Sequence, residues 1–251
     1  MVTTGVASSG NASVLLVLDY PGYRPEARVD ELGLPRNTGL RVAELLRAPL
    51  PTAVTAAGYA AELLARRPEG EIGAVLAYCA AAPLATELVA QAGTDDRRPP
   101  LVLFDAEPTT VSSLLDAYRD TLTQLGVAAT PQEAATLAAL AHRPEEFIAI
   151  ARRNLIAHVS RTLLADGCDP GEVDLAAQLT TDSCTDWLTH LLAALHAPAP
   201  KRSGPVLRIT SADVPGGDLR IPCERTSLLR DPRTREAVLS FLASHGVPLA
   251  K

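Results

Sequence analysis

The chain has 251 residues, of which 47% are hydrophobic and 21% charged, a composition that is ordinary for a globular protein and argues against intrinsic disorder. Its formal net charge of −6 implies no basic surface for nucleic acid. No apolar run is long enough to span a membrane, and residues 1–12 lack the basic and apolar regions of a secretory signal, so we expect them to form a flexible lead-in.

Short apolar strands alternate with helical patterns along most of the chain. A first strand is predicted at residues 14–18, followed by the turn signal Asp19-Tyr20-Pro21-Gly22. Helical spacing then indicates helices at 40–47 and 54–67. The remaining predicted strands are 72–77, 101–104, 205–210 and 218–221, and the remaining helices of this part are 83–92 and 233–244. This order is typical of a mostly parallel α/β sheet covered by helices on both faces.

Residues 110–200 have a different sequence pattern. They contain no strand-like run but several amphipathic segments, at 111–125, 131–141, 144–164, 171–179 and 183–196. An all-helical block inside an α/β chain predicts an inserted lid at about 110–200, within one domain that covers residues 13–251.

The residues around Cys79 have the pattern of a nucleophile elbow. An apolar strand ends at this cysteine, a helical pattern follows, and alanines lie two positions to either side of it, at Ala77 and Ala81. The usual pattern is G-x-S-x-G, in which small residues allow a sharp turn from strand to helix. Cysteine here replaces serine, and alanine replaces both glycines. A buried structural cysteine is the alternative interpretation.

In this arrangement, residues 14–242 resemble the thioesterase domains of polyketide and non-ribosomal peptide synthesis, which are α/β-hydrolases with a helical lid. The resemblance rests on the elbow, on the strand that ends at Asp105, and on Ile221-Pro222-Cys223-Glu224-Arg225-Thr226-Ser227-Leu228-Leu229. It implies a Cys79 nucleophile and a triad acid at Asp105. It also places Arg225 where the family has its catalytic histidine.

The missing histidine is the main departure from the family. Arginine stays protonated and cannot act as a general base. Arg225 could form a structural salt bridge with Asp105, or it could stabilise a Cys79 thiolate. The chain's histidines are His142, His158, His190, His196 and His245. Of these, His158 and His190 in the predicted lid are the two that could lie close to the elbow at Cys79.

The oxyanion hole is expected to use backbone N–H groups. One would come from Ala80, and the other from Gly22 or Tyr23 in the loop after the first strand, since Pro21 has no N–H. No metal-ligand spacing or phosphate-binding loop is present, so neither a metal nor a bound cofactor is predicted. The four cysteines are widely spaced, which favours free thiols and a cytoplasmic protein.

Three functions remain open from the sequence. The first is a thioesterase-like acyltransferase that acts through Cys79 on acyl groups carried on the phosphopantetheine arm of an acyl or peptidyl carrier protein. The second is an inactive pseudo-thioesterase that binds a carrier protein, a partner enzyme or a product. The third is a cyclase or isomerase on the same fold. Retention of a nucleophile at the elbow ranks acyl transfer first.

Overall fold

A parallel six-stranded sheet organises the molecule, which we describe from a computed structural model covering residues 13–22, 24–34, 40–94, 97–199 and 204–248. Its strand order is β2-β1-β3-β4-β5-β6, and every neighbouring pair is parallel. The strands are β1 (Ser13–Leu18), β2 (Leu40–Glu44), β3 (Ile72–Tyr78), β4 (Leu101–Phe104), β5 (Val206–Thr210) and β6 (Leu219–Arg220). The predicted α/β class and parallel sheet are confirmed.

Helices cover both faces of this sheet and also form a separate insertion. They are α1 (Ala56–Arg66), α2 (Ala82–Ala92), α3 (Val111–Gln124), α4 (Pro131–Leu140), α5 (Pro144–Ala165), α6 (Pro170–Leu195) and α7 (Pro232–Ser244). Alternate residues of β1 point to opposite faces, so Leu16 packs in the cluster with α1 and α2 while Val17 packs in the cluster with α7. Both faces are therefore buried, which explains the continuous apolar runs of the strands.

The four helices α3 to α6 form a helical insertion between β4 and β5. They have their own apolar core, to which Tyr118, Phe147 and Leu188 contribute. Val54 and Ala80 of the sheet region also pack against this core. Since Ala80 directly follows Cys79, the insertion lies over the carboxyl-end side of the sheet, where ligands bind in open α/β folds.

Two sequence predictions of secondary structure are wrong. Residues 40–47, predicted as a helix, begin with strand β2, which pairs in parallel with β1. A two-turn helix gains little on its own, whereas the strand completes a ladder of hydrogen bonds on the sheet. The segments 171–179 and 183–196 are one helix, α6, in which the Thr185 hydroxyl donates to the Thr181 carbonyl at 2.9 Å. No glycine or proline interrupts it after Gly171.

The predicted lead-in, residues 1–12, lies outside the described residues. Within the described ranges, no helix is long and apolar enough to cross a membrane.

Candidate active site

Cys79 lies at a sharp turn between β3 and α2. Its φ angle is 52°, a left-handed conformation that is rare for a residue other than glycine. Ala77 and Ala81 are almost completely buried, so larger side chains at these two positions would collide with their surroundings. The predicted strand–turn–helix geometry is therefore present, and strained backbone of this kind is often found at functional sites.

The sulfur of Cys79 is in contact with a guanidinium group. Arg225 donates a hydrogen bond from Nη2 to Sγ at 2.8 Å, and the Glu107 carboxylate lies 4.0 Å from the same sulfur. Burial raises the pKa of the Cys79 thiol, while the charge of Arg225 and the Ala80 backbone N–H act in the opposite direction. The thiol is partly buried rather than entombed, and Arg225 favours its ionised form.

Arg225 is held in place by several partners at once. Its Nη1 donates to Glu107 at 2.8 Å, its Nε donates to the Tyr78 hydroxyl at 3.2 Å, and its backbone N–H donates to Asp213 at 2.8 Å. Burial acts against the charged form, but the hydrogen bonds to Tyr78 and Glu107 and the nearby sulfur of Cys79 raise the pKa of Arg225. The group is a fixed cation and not a proton acceptor.

Asp105 is at the end of β4, as predicted, and is completely buried. Its Oδ1 accepts a hydrogen bond from the Ser211 N–H at 2.7 Å, while its Oδ2 has no partner among the described residues. Burial raises the pKa of its carboxyl group. The alternative of an Arg225–Asp105 salt bridge is wrong, because Arg225 pairs with Glu107 instead. Glu107 extends from the chain just after β4 and reaches toward the elbow, leaving Asp105 buried behind it.

None of the five histidines, all of which lie within the described ranges, forms a hydrogen bond with the Cys79 sulfur. His190 is completely buried, and its Nδ1 pairs with the Tyr59 hydroxyl at 3.0 Å. His158 pairs through Nε2 with Glu133 at 2.8 Å, between α5 and α4. The two lid histidines singled out in the sequence therefore stabilise the insertion and supply no base to the elbow.

The loop after β1 holds the residues expected to complete the oxyanion hole. Gly22 is exposed at the tip of this loop, whereas Tyr23 lies outside the described residues. The backbone N–H of Ala80 acts to lower the pKa of the Cys79 thiol. An Ala80–Gly22 oxyanion hole therefore stays a prediction.

A cavity of about 450 Å³ lies away from the elbow, between the segment before α1 and the first turns of α5. Its lining includes Thr52, Thr55, Glu145 and Ile148. Neither Cys79 nor Arg225 contributes to it.

Sequence reasoning missed Glu107 and Tyr78 as partners of the site. Glu107 follows Asp105 by two positions at the carboxyl end of β4, and Tyr78 ends β3. Carboxyl ends of neighbouring parallel strands meet at one edge of the sheet, so this placement was the available signal. Together with Cys79 and Arg225 they make a site with a thiol, a fixed cation and a carboxylate. Such a site can stabilise a thiolate but contains no imidazole for activating water.

No protein-family model and no curated protein matches the sequence. Among solved structures, the chain is similar to the NocB thioesterase domain in covalent complex with a fluorophosphonate nocardicin G analogue, with 17% identity, 94% of this chain and 96% of that chain covered, and a TM-score of 0.44. It is also similar to the Vlm2 thioesterase domain bound with a dodecadepsipeptide, with 13% identity, coverage of 96% and 95%, and a TM-score of 0.42.

A third similar structure is a protein of Nostoc sp. PCC 7120 assigned to the α/β hydrolases, with 15% identity, coverage of 93% and 91%, and a TM-score of 0.42. The α/β fold class itself rests on the strand order and on the parallel pairing of every neighbouring strand.

Proposed function

We propose that the protein is a cysteine-dependent acyltransferase that moves acyl groups from one thiol to another. The acyl donor would be a thioester on the phosphopantetheine arm of an acyl or peptidyl carrier protein. The observation that carries this proposal is the 2.8 Å contact between Arg225 Nη2 and Cys79 Sγ at the strained turn. A fixed cation beside a thiol favours the thiolate, which is the nucleophilic form of cysteine.

The reaction consists of two thioester exchanges. The Cys79 thiolate attacks the carbonyl carbon of the donor, and the resulting oxyanion collapses to break the bond to the donor sulfur. The donor leaves as a thiolate and takes up the proton that Cys79 lost, and the Glu107 carboxylate, 4.0 Å from Sγ, is placed to carry that proton. An acceptor thiol then attacks the acyl-cysteine in the same way, which restores Cys79.

Acyl transfer to a thiol is favoured over hydrolysis because only hydrolysis requires a general base. An acceptor thiol ionises at a pH not far above neutrality, whereas water must be deprotonated by a base during its attack. The residues around Cys79 offer Arg225 and Glu107 but no histidine. A thioester exchange is also nearly isoenergetic, so it needs no further driving force.

Mass spectrometry of the acyl-enzyme tests the proposal. The protein is mixed with a series of acyl-pantetheine thioesters, and the peptide that contains Cys79 is examined for the added acyl mass. The matched controls are Cys79→Ala and Cys168→Ala, because Cys168 is an exposed thiol away from the elbow. We expect the adduct in the wild type and in Cys168→Ala and its absence in Cys79→Ala. Adducts that appear first on Cys168, or no adduct with any acyl chain, would contradict the proposal.

A binding function without turnover is the second candidate. Two observations favour it: burial raises the pKa of the Cys79 thiol, and the 450 Å³ cavity lies elsewhere. This candidate expects Cys79→Ala to bind a carrier protein as the wild type does and to leave the output of the pathway intact. Loss of pathway output in a folded Cys79→Ala variant would count against it.

A further inference from the structure

The loop after β1 packs against the insertion helix α6 through the side chain of Tyr20. The ring of Tyr20 lies 4.4 Å from the ring of Trp187 and 5.0 Å from that of His190, measured between centroids. Trp187 and His190 are themselves stacked, with centroids 5.5 Å apart and planes inclined by 16°. Aromatic pairs at these distances are attractive beyond the area they bury. Tyr20 is thus held by α6 and not only by its own loop.

His190 fixes this aromatic group to the sheet side of the molecule. It is completely buried and pairs with the Tyr59 hydroxyl of α1 at 3.0 Å. Burial lowers its pKa to about 3, so the ring is neutral at neutral pH. The position of Tyr20 therefore depends on how α6 packs against α1.

Tyr20 in turn supports Gly22. A methyl group added to the Gly22 Cα would meet the Cδ1 and Cε1 atoms of the Tyr20 ring, each at 3.3 Å, so the ring lies directly against this glycine. On the other side, the guanidinium of Arg28 donates to the carbonyls of Tyr20, Pro21 and Gly22. The carbonyls of the loop are thereby occupied, while the N–H of Gly22 has no hydrogen-bond acceptor within the described part of the chain.

We infer that Tyr20 is a positioning residue. Helix α6 fixes its ring, and the ring in turn fixes the Gly22 N–H where it can donate a hydrogen bond to the oxyanion. This inference rests on the proposed acyl transfer. It adds that the oxyanion hole is complete only while Trp187 and His190 hold the Tyr20 ring. The loop lies beside the elbow, because β1 pairs with β3 up to Leu18 and Ala77, at the ends of the two strands.

Two reagents separate a positioning role from a purely structural one. Acylation of Cys79 by an acyl-pantetheine thioester forms an oxyanion, whereas alkylation by iodoacetamide displaces iodide and forms none. We expect Tyr20→Ala to slow acylation by about 10- to 100-fold, a part of the loss seen when an oxyanion donor is removed, and to change alkylation by less than about twofold. Tyr20→Phe keeps the ring and should retain near wild-type acylation. Equal losses in both reactions, or no loss of acylation in Tyr20→Ala, would overturn the positioning role.

Hydrogen–deuterium exchange provides a readout that does not require activity. Trp187→Ala should increase amide exchange at Val29, whose N–H donates to the loop residue Asp19 at 2.9 Å, and Trp187→Phe, which keeps an aromatic ring, should increase it less. Unchanged exchange in a folded Trp187→Ala variant would overturn the coupling between α6 and the loop. If the exchange responds as expected but the wild type takes no acyl group from any thioester, the coupling stands, and the proposed function and the oxyanion role fall.

Discussion

At the scale of single residues, the guanidinium of Arg225 decides what the site can do. It lies 2.8 Å from the Cys79 sulfur and 2.8 Å from Glu107, so it connects the thiol to a carboxylate without accepting a proton itself. Burial works against the thiolate and Arg225 works for it. The reactivity of Cys79 is therefore set by the balance between desolvation and one fixed charge.

This balance predicts the pH dependence of Cys79. Because burial raises the pKa of the thiol, alkylation by iodoacetamide should accelerate with pH, with a midpoint above the usual value of about 8.5. Arg225→Met, which removes the charge at similar length, should move the midpoint further upward. The measurement is the alkylation rate of the Cys79 peptide from pH 7 to 11. A midpoint that falls in Arg225→Met would contradict the assigned effect of the charge.

A second prediction concerns the choice between water and thiol. Asp105 is buried near Arg225 and has an Oδ2 atom without a partner in the described structure. In Arg225→His, an imidazole beside Asp105 would supply the missing base, and general-base catalysis contributes about 10²- to 10⁴-fold. We expect this variant to release free acid from an acyl-pantetheine thioester at least about tenfold faster than the wild type. Arg225→Gln, which supplies no base, is the control and should show no such gain.

Part of the site could be predicted from sequence, because each predicted residue stands at a recognisable place in the pattern. Cys79 and Asp105 directly follow strands, and Arg225 stands in the stretch that resembles the histidine region of the thioesterases. Glu107 could not be assigned, because its partner Arg225 is distant in sequence and only the folded sheet brings the two together. An ion pair of this kind leaves no local periodicity to read.

At the scale of elements, the turn from β3 to α2 is the feature that presents the sulfur. Its cost is a left-handed backbone at Cys79, where φ is 52°. Side chains with a Cβ atom pay for this conformation, and glycine does not.

The strain predicts the relative stability of two variants. Cys79→Gly should be more stable than Cys79→Ala by about 1 kcal/mol, because glycine adopts the left-handed conformation without the Cβ clash. In a strand or helix interior the order would be the reverse. Urea unfolding of both variants gives the difference. Equal stability, or a more stable alanine variant, would show that this turn carries no strain.

Strands were predicted correctly where both of their faces are buried. The central strands β1, β3 and β4 are buried on both faces and read as continuous apolar runs, so they were assigned correctly. Strand β2 is at the edge of the sheet, where residues such as Arg41 and Glu44 are exposed. A half-exposed edge strand of five residues has a mixed pattern that resembles one or two helical turns. Only its pairing with β1 decides the outcome.

At the scale of the whole molecule, the helical insertion is joined to the sheet region by buried contacts around His190. This ring faces Tyr20, Tyr59 and Trp187, and no carboxylate among the described residues pairs with it. Burial lowers its pKa to about 3, whereas in the unfolded chain the value is about 6.5. The unfolded state therefore binds a proton between these values that the folded state does not.

Stability should consequently fall as the pH is lowered below about 6.5. For this one group the loss between pH 7 and pH 5 is about 2 kcal/mol, and the slope approaches about 1.4 kcal/mol per pH unit. His190→Gln removes the titrating group. Whatever the absolute stability of this variant, its free energy of unfolding should fall by about 2 kcal/mol less than that of the wild type between pH 7 and pH 5. The measurement is the free energy of unfolding in urea at both pH values. An identical slope in the variant would contradict a buried neutral His190.

The partition of the acyl-enzyme between thiol and water tests the account most directly. Cys79 is loaded with a radiolabelled acyl group from its pantetheine thioester, excess donor is removed, and the label is followed with and without a pantetheine thiol acceptor. We predict that the label leaves as a new thioester when the acceptor is present and stays on the protein when it is absent. Release as free acid at the same rate in both samples would contradict the account, because it would mean that the site activates water without a histidine.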